Sequence, residues 1–179
     1  RFGNQATVQN PNYKRHDTLG WNYRMNEFTA AVALAQVEQL EQKVNKRIEN
    51  ANALLDLISD YEVLIPQKVP KNYTHSYYTL ACRLNPDINW QKFRKIFNEN
   101  GGEGFYSAWS VPYLEPLMVN RSFNNRFDSK FQIKKYKKGE CPIAEDLQSE
   151  IIQFKTNYLT KKDIYRQAKA LKRTLLYFK

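Results

Sequence analysis

Apolar residues recur in steps of three and four from Met25 to Ile58, at Met25, Phe28, Val32, Ala35, Val37, Leu40, Val44, Ile48, Ala51, Leu55 and Ile58. That spacing predicts one long helix over residues 25–58, with a slip between Ala35 and Val37 that marks a bend or a change of partner surface. Asn26 is placed to cap it, and Glu27 stands where the helix dipole favours a negative charge. The period then shortens. "YEVLIP" and "HSYYTLACRL" are β-branched and aromatic runs bounded by Pro66, Pro70, Asn72 and Asn85-Pro86, which predicts two strands joined by a proline-bearing loop.

Helical spacing returns in "DINWQKFRKIFNENGG", where Ile88, Phe93, Ile96 and Phe97 share a face and Gly101 ends the element. "EGFYSAW" reads as a short strand or extended loop, and Val119 to Gly139 as an irregular, basic surface segment. "PIAEDLQSEIIQF" reads as a short helix with proline in its first turn. A last helix follows Thr160, whose T-x-x-D with Asp163 is a capping-box pattern, and carries Ile164, Ala168, Leu171, Leu175 and Phe178 on one stripe. The expected fold is α+β, a long N-terminal helix followed by a small antiparallel sheet of about three strands covered by helices. Three segments are expected: an entry loop over 1–24, the linking helix over 25–58 and a small α+β domain over 59–179. The helix carries more apolar surface than three short strands can cover, so a further partner is expected on it.

Composition narrows the setting. Lysine and arginine outnumber aspartate and glutamate by 28 to 18, for a net charge of +10, which favours an anion without naming it. A basic average is equally at home in a Lys-rich, Asn-rich chain that binds no anion. No stretch approaches the roughly 18 apolar residues of a membrane span, and Cys82 and Cys141 lie too far apart in sequence to suggest a disulfide framework. Together with an opening that lacks a secretory pattern, this predicts a cytoplasmic protein whose chain begins inside a longer reading frame. The two histidines, His16 and His75, have no companions at metal-ligand spacing, so no metal site is expected. Phosphate-binding glycine motifs are missing, and "GGEG" reads as a helix terminus and turn. Carboxylate pairs such as Glu38 with Glu41, or Asp146 with Glu150, read as solvated helix faces.

One stretch does not fit a bland reading. "LGWNYRMNEFTAA" sets Gly20, Asn22 and Arg24 immediately ahead of a helix start, where unpaired N–H groups already favour anions. Two readings stand: the donors seat a phosphate, or Asn22 orders its own loop while Arg24 pairs with Glu27.

At these residues the chain resembles a known family. "GWNYRMNEFTAAVALAQ" is similar to the G-x-N-Y-R-M-x-E-x-x-A-A-x-x-x-x-Q segment of the DegT/DnrJ/StrS-type sugar aminotransferases, fold-type I enzymes that use pyridoxal 5'-phosphate. "RFGN", "HSYYTLACRL", "VPYLEP" and "CPIAEDL" resemble further family segments in order, over nearly the whole chain but only the C-terminal half of the family's length. The resemblance implies transfer of an amino group from an amino acid, commonly glutamate, to a keto group on a nucleotide-linked sugar. It implies a homodimer in which Asn22, with Arg24 as a weaker candidate, reaches the phosphate of the cofactor held by the neighbouring subunit. It also implies an absent N-terminal domain that bears the cofactor's lysine. No lysine here matches that position, so no catalytic residue is assigned and the chain alone is expected to be inactive.

Tyr113 in "VPYLEP" stands where many relatives carry histidine, so that histidine's acid/base role does not carry over. Tyr113 and Trp109 become candidate contacts for sugar or nucleotide, with simple packing the alternative for Trp109. "FKTN" replaces the family's Leu-Pro after the preceding segment. Two other functions stay open: a basic nucleic-acid module using "KKYKKG" and Tyr136, judged the less favoured partner, and a dimerisation pseudoenzyme.

Overall fold

The computed structural model describes residues 23–107, 110–120 and 135–179. Residues 1–39 and 40–179 form two separate compact units.

In the first unit, α1 spans Glu27–Val37. Asn26 caps it as expected, its side-chain oxygen accepting the Thr29 N–H at 2.8 Å. The stretch expected as one helix is two, because a turn at Glu38 and Gln39 separates α1 from α2, Leu40–Ile58. The break falls just after the slip in apolar spacing, where a continuous helix would have carried the stripe round to a different side.

The second unit is a four-stranded antiparallel sheet in the order β1-β2-β4-β3, where β1 is Leu64–Pro66, β2 Thr79–Leu84, β3 Phe105–Ser107 and β4 Ile151–Lys155. The helices are α2, α3 (Trp90–Glu99), α4 (Pro116–Val119), α5 (Pro142–Gln148) and α6 (Lys161–Tyr177). The register pairs Leu80 with Phe154, Cys82 with Ile152, and Phe105 with Phe154. Alternation therefore puts those side chains on one face, where they meet Leu54 and Ile58 of α2, Phe93 and Phe97 of α3, and Leu171 and Leu175 of α6. Phenylalanines fill its centre, with Phe97 and Phe105 each edge-on to Phe154 at 5.6 Å between centroids.

Two expectations need correction. "PIAEDLQSEIIQF" is not one helix, since α5 ends at Gln148 and Ile151–Lys155 is β4, a central strand of a sheet with four strands and not about three. Ile143, Leu147 and Ile151 do continue a helical step, but the buried set Ile152, Phe154 and Thr156 alternates, and pairing with β2 and β3 decides for the strand. Glu150 consequently lies beyond α5 and does not share a helix face with Asp146; its carboxylate pairs with the Arg83 guanidinium of β2.

Local signals hold elsewhere. Asn89 caps α3 by accepting the Lys92 N–H at 3.0 Å, and Gly101, at φ +88°, follows its end. Thr160 caps α6, its hydroxyl accepting the Asp163 N–H at 3.1 Å and donating to the Asp163 carboxylate at 2.5 Å. Among the described residues, no helix is long and apolar enough to cross a membrane.

Candidate functional site

The donor-rich corner is described from Tyr23 onward, so Asn22 lies outside the described residues, as does Trp109. Arg24 is exposed, two residues ahead of the Asn26 cap. Asn26 is committed to capping, which separates it from its neighbour in role. The helix that follows is apolar on every side, yet none of its residues is buried: Phe28 is 87 % exposed and Val32 65 %. A helix of that character is normally a covered one.

Tyr113 is held in a different place. It sits in a short 3₁₀ turn, Pro112–Leu114, with α4 directly after it. Its hydroxyl donates to the Glu145 carboxylate and accepts the Cys141 N–H at 3.1 Å. Glu145 Oε1 also accepts the Gly139 N–H at 2.7 Å, and the Tyr136 ring lies 6.0 Å from that of Tyr113. Proline at the first position of α5 starts the helix without spending an N–H, and Glu145 in its first turn suits the dipole. Burial, and then the bond to Glu145, push the Tyr113 hydroxyl up to about 12. Conversely, the bond from Tyr113 holds the Glu145 carboxyl below its ordinary range. Tyr113 is thus a neutral hydrogen-bonding group across the physiological range and not a base. Glu145 was not singled out from sequence; its place in the first turn after Pro142 is a signal for a cap, and its partner lies 32 residues away.

A second constellation lies on the sheet face opposite the core. Arg47, Tyr78, Thr79, Tyr106, Gln153, Lys155 and Asn157 line a cleft of about 510 Å³. Beneath it is a polar knot. The buried Asn50 side chain donates to the carbonyls of Thr156 and Tyr158, both at 2.8 Å. Thr156, fully buried, donates its hydroxyl to the Tyr77 carbonyl at 2.6 Å, and this fastens a residue whose φ is +47°. The "FKTN" departure noted in the sequence is therefore the end of β4 and the floor of this cleft.

His75 is used locally, its Nδ1 accepting the Tyr77 N–H at 2.8 Å. Among the described residues no three His, Cys, Asp or Glu side chains converge as metal ligands would.

A match to the DegT/DnrJ/EryC1/StrS aminotransferase family spans residues 1–171. The chain is 28 % identical over 109 residues to a dTDP-4-dehydro-2,3,6-trideoxy-D-glucose 4-aminotransferase of Saccharopolyspora spinosa, covering 60 % of this chain and 27 % of that protein. It is 27 % identical over 131 residues to a GDP-perosamine synthase of Vibrio cholerae, covering 69 % of this chain and 34 % of that protein. The chain thus spans about a third or less of these relatives' length. Among solved structures, the aminotransferase of Psychrobacter cryohalolentis superposes with a TM-score of 0.67 at 22 % identity, over 93 % of this chain and 43 % of the other. DesV of S. venezuelae superposes with a TM-score of 0.70 at 16 % identity, over 92 % of this chain and 40 % of the other. These likenesses establish the fold.

Proposed function

We propose, starting from the fact that this chain belongs to the DegT/DnrJ/EryC1/StrS aminotransferase family, that it is the C-terminal part of a pyridoxal-phosphate enzyme that aminates a nucleotide-linked keto sugar. The observation that carries this reading is α1, an apolar helix with no buried residue, directly after the N-Y-R corner. Such a helix is stable when another surface covers it, and a lysine-bearing domain together with a second subunit would do so. The donor chemistry suits the cofactor's phosphate: a carboxamide at Asn22 and a guanidinium at Arg24, next to the positive end of α1. In this reading Asn22 holds that phosphate across the subunit boundary, and Arg24 stands beside it.

When bound, pyridoxal phosphate supplies the electron sink for amino transfer. This chain's residues bind and orient. Tyr113, clamped by Glu145 and the Cys141 amide, offers the sugar or its nucleotide an aromatic edge and a hydroxyl that keeps its proton, and Trp109 is assigned to the same contact. The amino donor is glutamate, and the enzyme works in the cytoplasm as a homodimer. Residues 1–179 alone hold no matched cofactor lysine and do not transaminate.

Asn22→Ala in the full-length enzyme tests the assignment. The cofactor's dissociation constant should rise about tenfold or more, as expected for loss of a charge-assisted bond. An unchanged constant overturns the role of Asn22, and amino transfer by residues 1–179 alone overturns the reading of the chain as a part.

A further inference from the structure

We propose that the cleft on the open face of the sheet is a binding site for a nucleoside diphosphate group. Its residues come from α2, from the start and centre of β2 and β4, from β3 and from the segment after β4, so only the folded unit assembles it. Arg47 and Lys155 put two positive charges on it, and its other polar lining groups, Thr79, Gln153, Asn157 and the tyrosine hydroxyls, are uncharged. Elsewhere in the unit Lys46, Arg83, Lys95 and Arg166 each pair with a glutamate. Among the described residues, neither Arg47 nor Lys155 has a carboxylate within ion-pair distance. Two uncompensated cations in one concavity raise the local concentration of anions.

The cations are also positioned. Arg47 donates from one terminal nitrogen to the Tyr78 carbonyl at 2.9 Å and the Thr156 hydroxyl at 3.3 Å, with its guanidinium 5.4 Å from the Tyr78 ring centroid. That fixes a forked donor whose Nε and second terminal nitrogen remain to meet phosphoryl oxygens. Lys155 runs its stem across Gly104, where an added Cβ would come within 2.6 Å of it, and its ammonium sits 5.2 Å from the Tyr158 ring centroid. Gln153 accepts the Thr79 hydroxyl at 2.9 Å through its oxygen, which leaves its NH₂ as a donor.

The aromatics specify more than an anion. Tyr78 is 79 % exposed and Tyr106 53 %, two rings at the same cleft offering faces to a planar ligand. Base stacking on such rings is sequence-tolerant and adds to phosphate contacts. A volume of about 510 Å³ lies within the range of small-molecule sites. Two fixed cations, neutral donors between them and exposed rings together match a diphosphate joined to a nucleoside. The site stands on this geometry; only the identification of its ligand with the nucleotide half of a sugar nucleotide rests on the function proposed above.

The test is an amide NMR titration of the full chain with uridine 5'-diphosphate, guanosine 5'-diphosphate, pyrophosphate and uridine. Both nucleotides should shift the amides of Thr79, Gln153 and Lys155, pyrophosphate more weakly and uridine least. Lys155→Gln should weaken nucleotide binding about fivefold to tenfold, in keeping with loss of one charge-assisted contact. Tyr106→Ala should weaken nucleotides and leave pyrophosphate unchanged. A sugar nucleotide that binds as well as the free diphosphate identifies the carried nucleotide as the ligand, and one that binds far worse identifies the free nucleotide. Absence of shifts at millimolar nucleotide, or equal affinity in Lys155→Gln and the parent, overturns the site. No arm reads amino transfer, so this proposal and the aminotransferase reading fail independently.

Discussion

Asn50→Leu probes how α2 is fastened to the end of β4. Asn50 is 2 % exposed, and its two N–H bonds reach the carbonyls of Thr156 and Tyr158. Leucine has nearly the amide's shape, so little cavity opens, but both carbonyls lose these donors inside the protein. An orphaned buried acceptor costs about 1–3 kcal/mol, so the pair costs about 4 kcal/mol. Burial of the leucine returns about 1.5 kcal/mol. The expected net loss is about 2.5 kcal/mol, and with a urea dependence of about 2 kcal/mol per molar the midpoint should fall by about 1 M. Urea unfolding of the full chain, followed by far-ultraviolet circular dichroism, measures it. Asn50→Asp should be worse, because it sets carboxylate oxygens against carbonyl oxygens in a buried place. A midpoint unmoved in Asn50→Leu would refute the idea that these two bonds tie α2 to the sheet.

Val32→Asp should shift the chain's own stability by no more than about 0.5 kcal/mol, since Val32 is 65 % exposed, yet block assembly of the complete enzyme in analytical ultracentrifugation. Of the two cysteines, Cys141 is exposed and should react with a thiol reagent in the native state, whereas Cys82, buried with its thiol pushed up to about 12, should react only on unfolding. Tyr113 is raised in the folded state, so its contribution to stability is full below its ordinary value of 10.0 and is lost as pH climbs towards about 12. Glu145 is lowered, so its contribution is present above 4.5 and is lost as pH falls through its folded value. Denaturation midpoints of Tyr113→Phe and Glu145→Gln should therefore lose the alkaline and the acid limb respectively.

The helices and outer strands were legible because one period dominated each. Phe93 and Phe97, or Ile164, Leu171 and Leu175, could lie on one face only as helices. At Ile151 the helical and strand periods coincide, and the choice between them is made by β2 and β3, partners that a local reading does not contain. The break after α1 showed in the sequence as a slip, and its exposed apolar surface was expected because short strands could not cover it. Tyr113 was found through a motif, but Glu145 needed the chain to fold back over 32 positions. The sheet-face cleft belongs to no motif: Arg47, Tyr106 and Lys155 meet only through strand pairing, and single positions with no periodic signature carry no mark of that meeting.

Strand β4 is the last to be synthesised and is hydrogen-bonded on both edges. During translation, β3 has no neighbour to pair with until residues 151–155 leave the ribosome, and β2 has only β1. The sheet therefore closes in a single late, long-range event, slow by its topology. Any nonsense codon or proteolytic cut ahead of Ile151 would leave unpaired strand edges and exposed phenylalanines, a template for aggregation rather than a shortened domain.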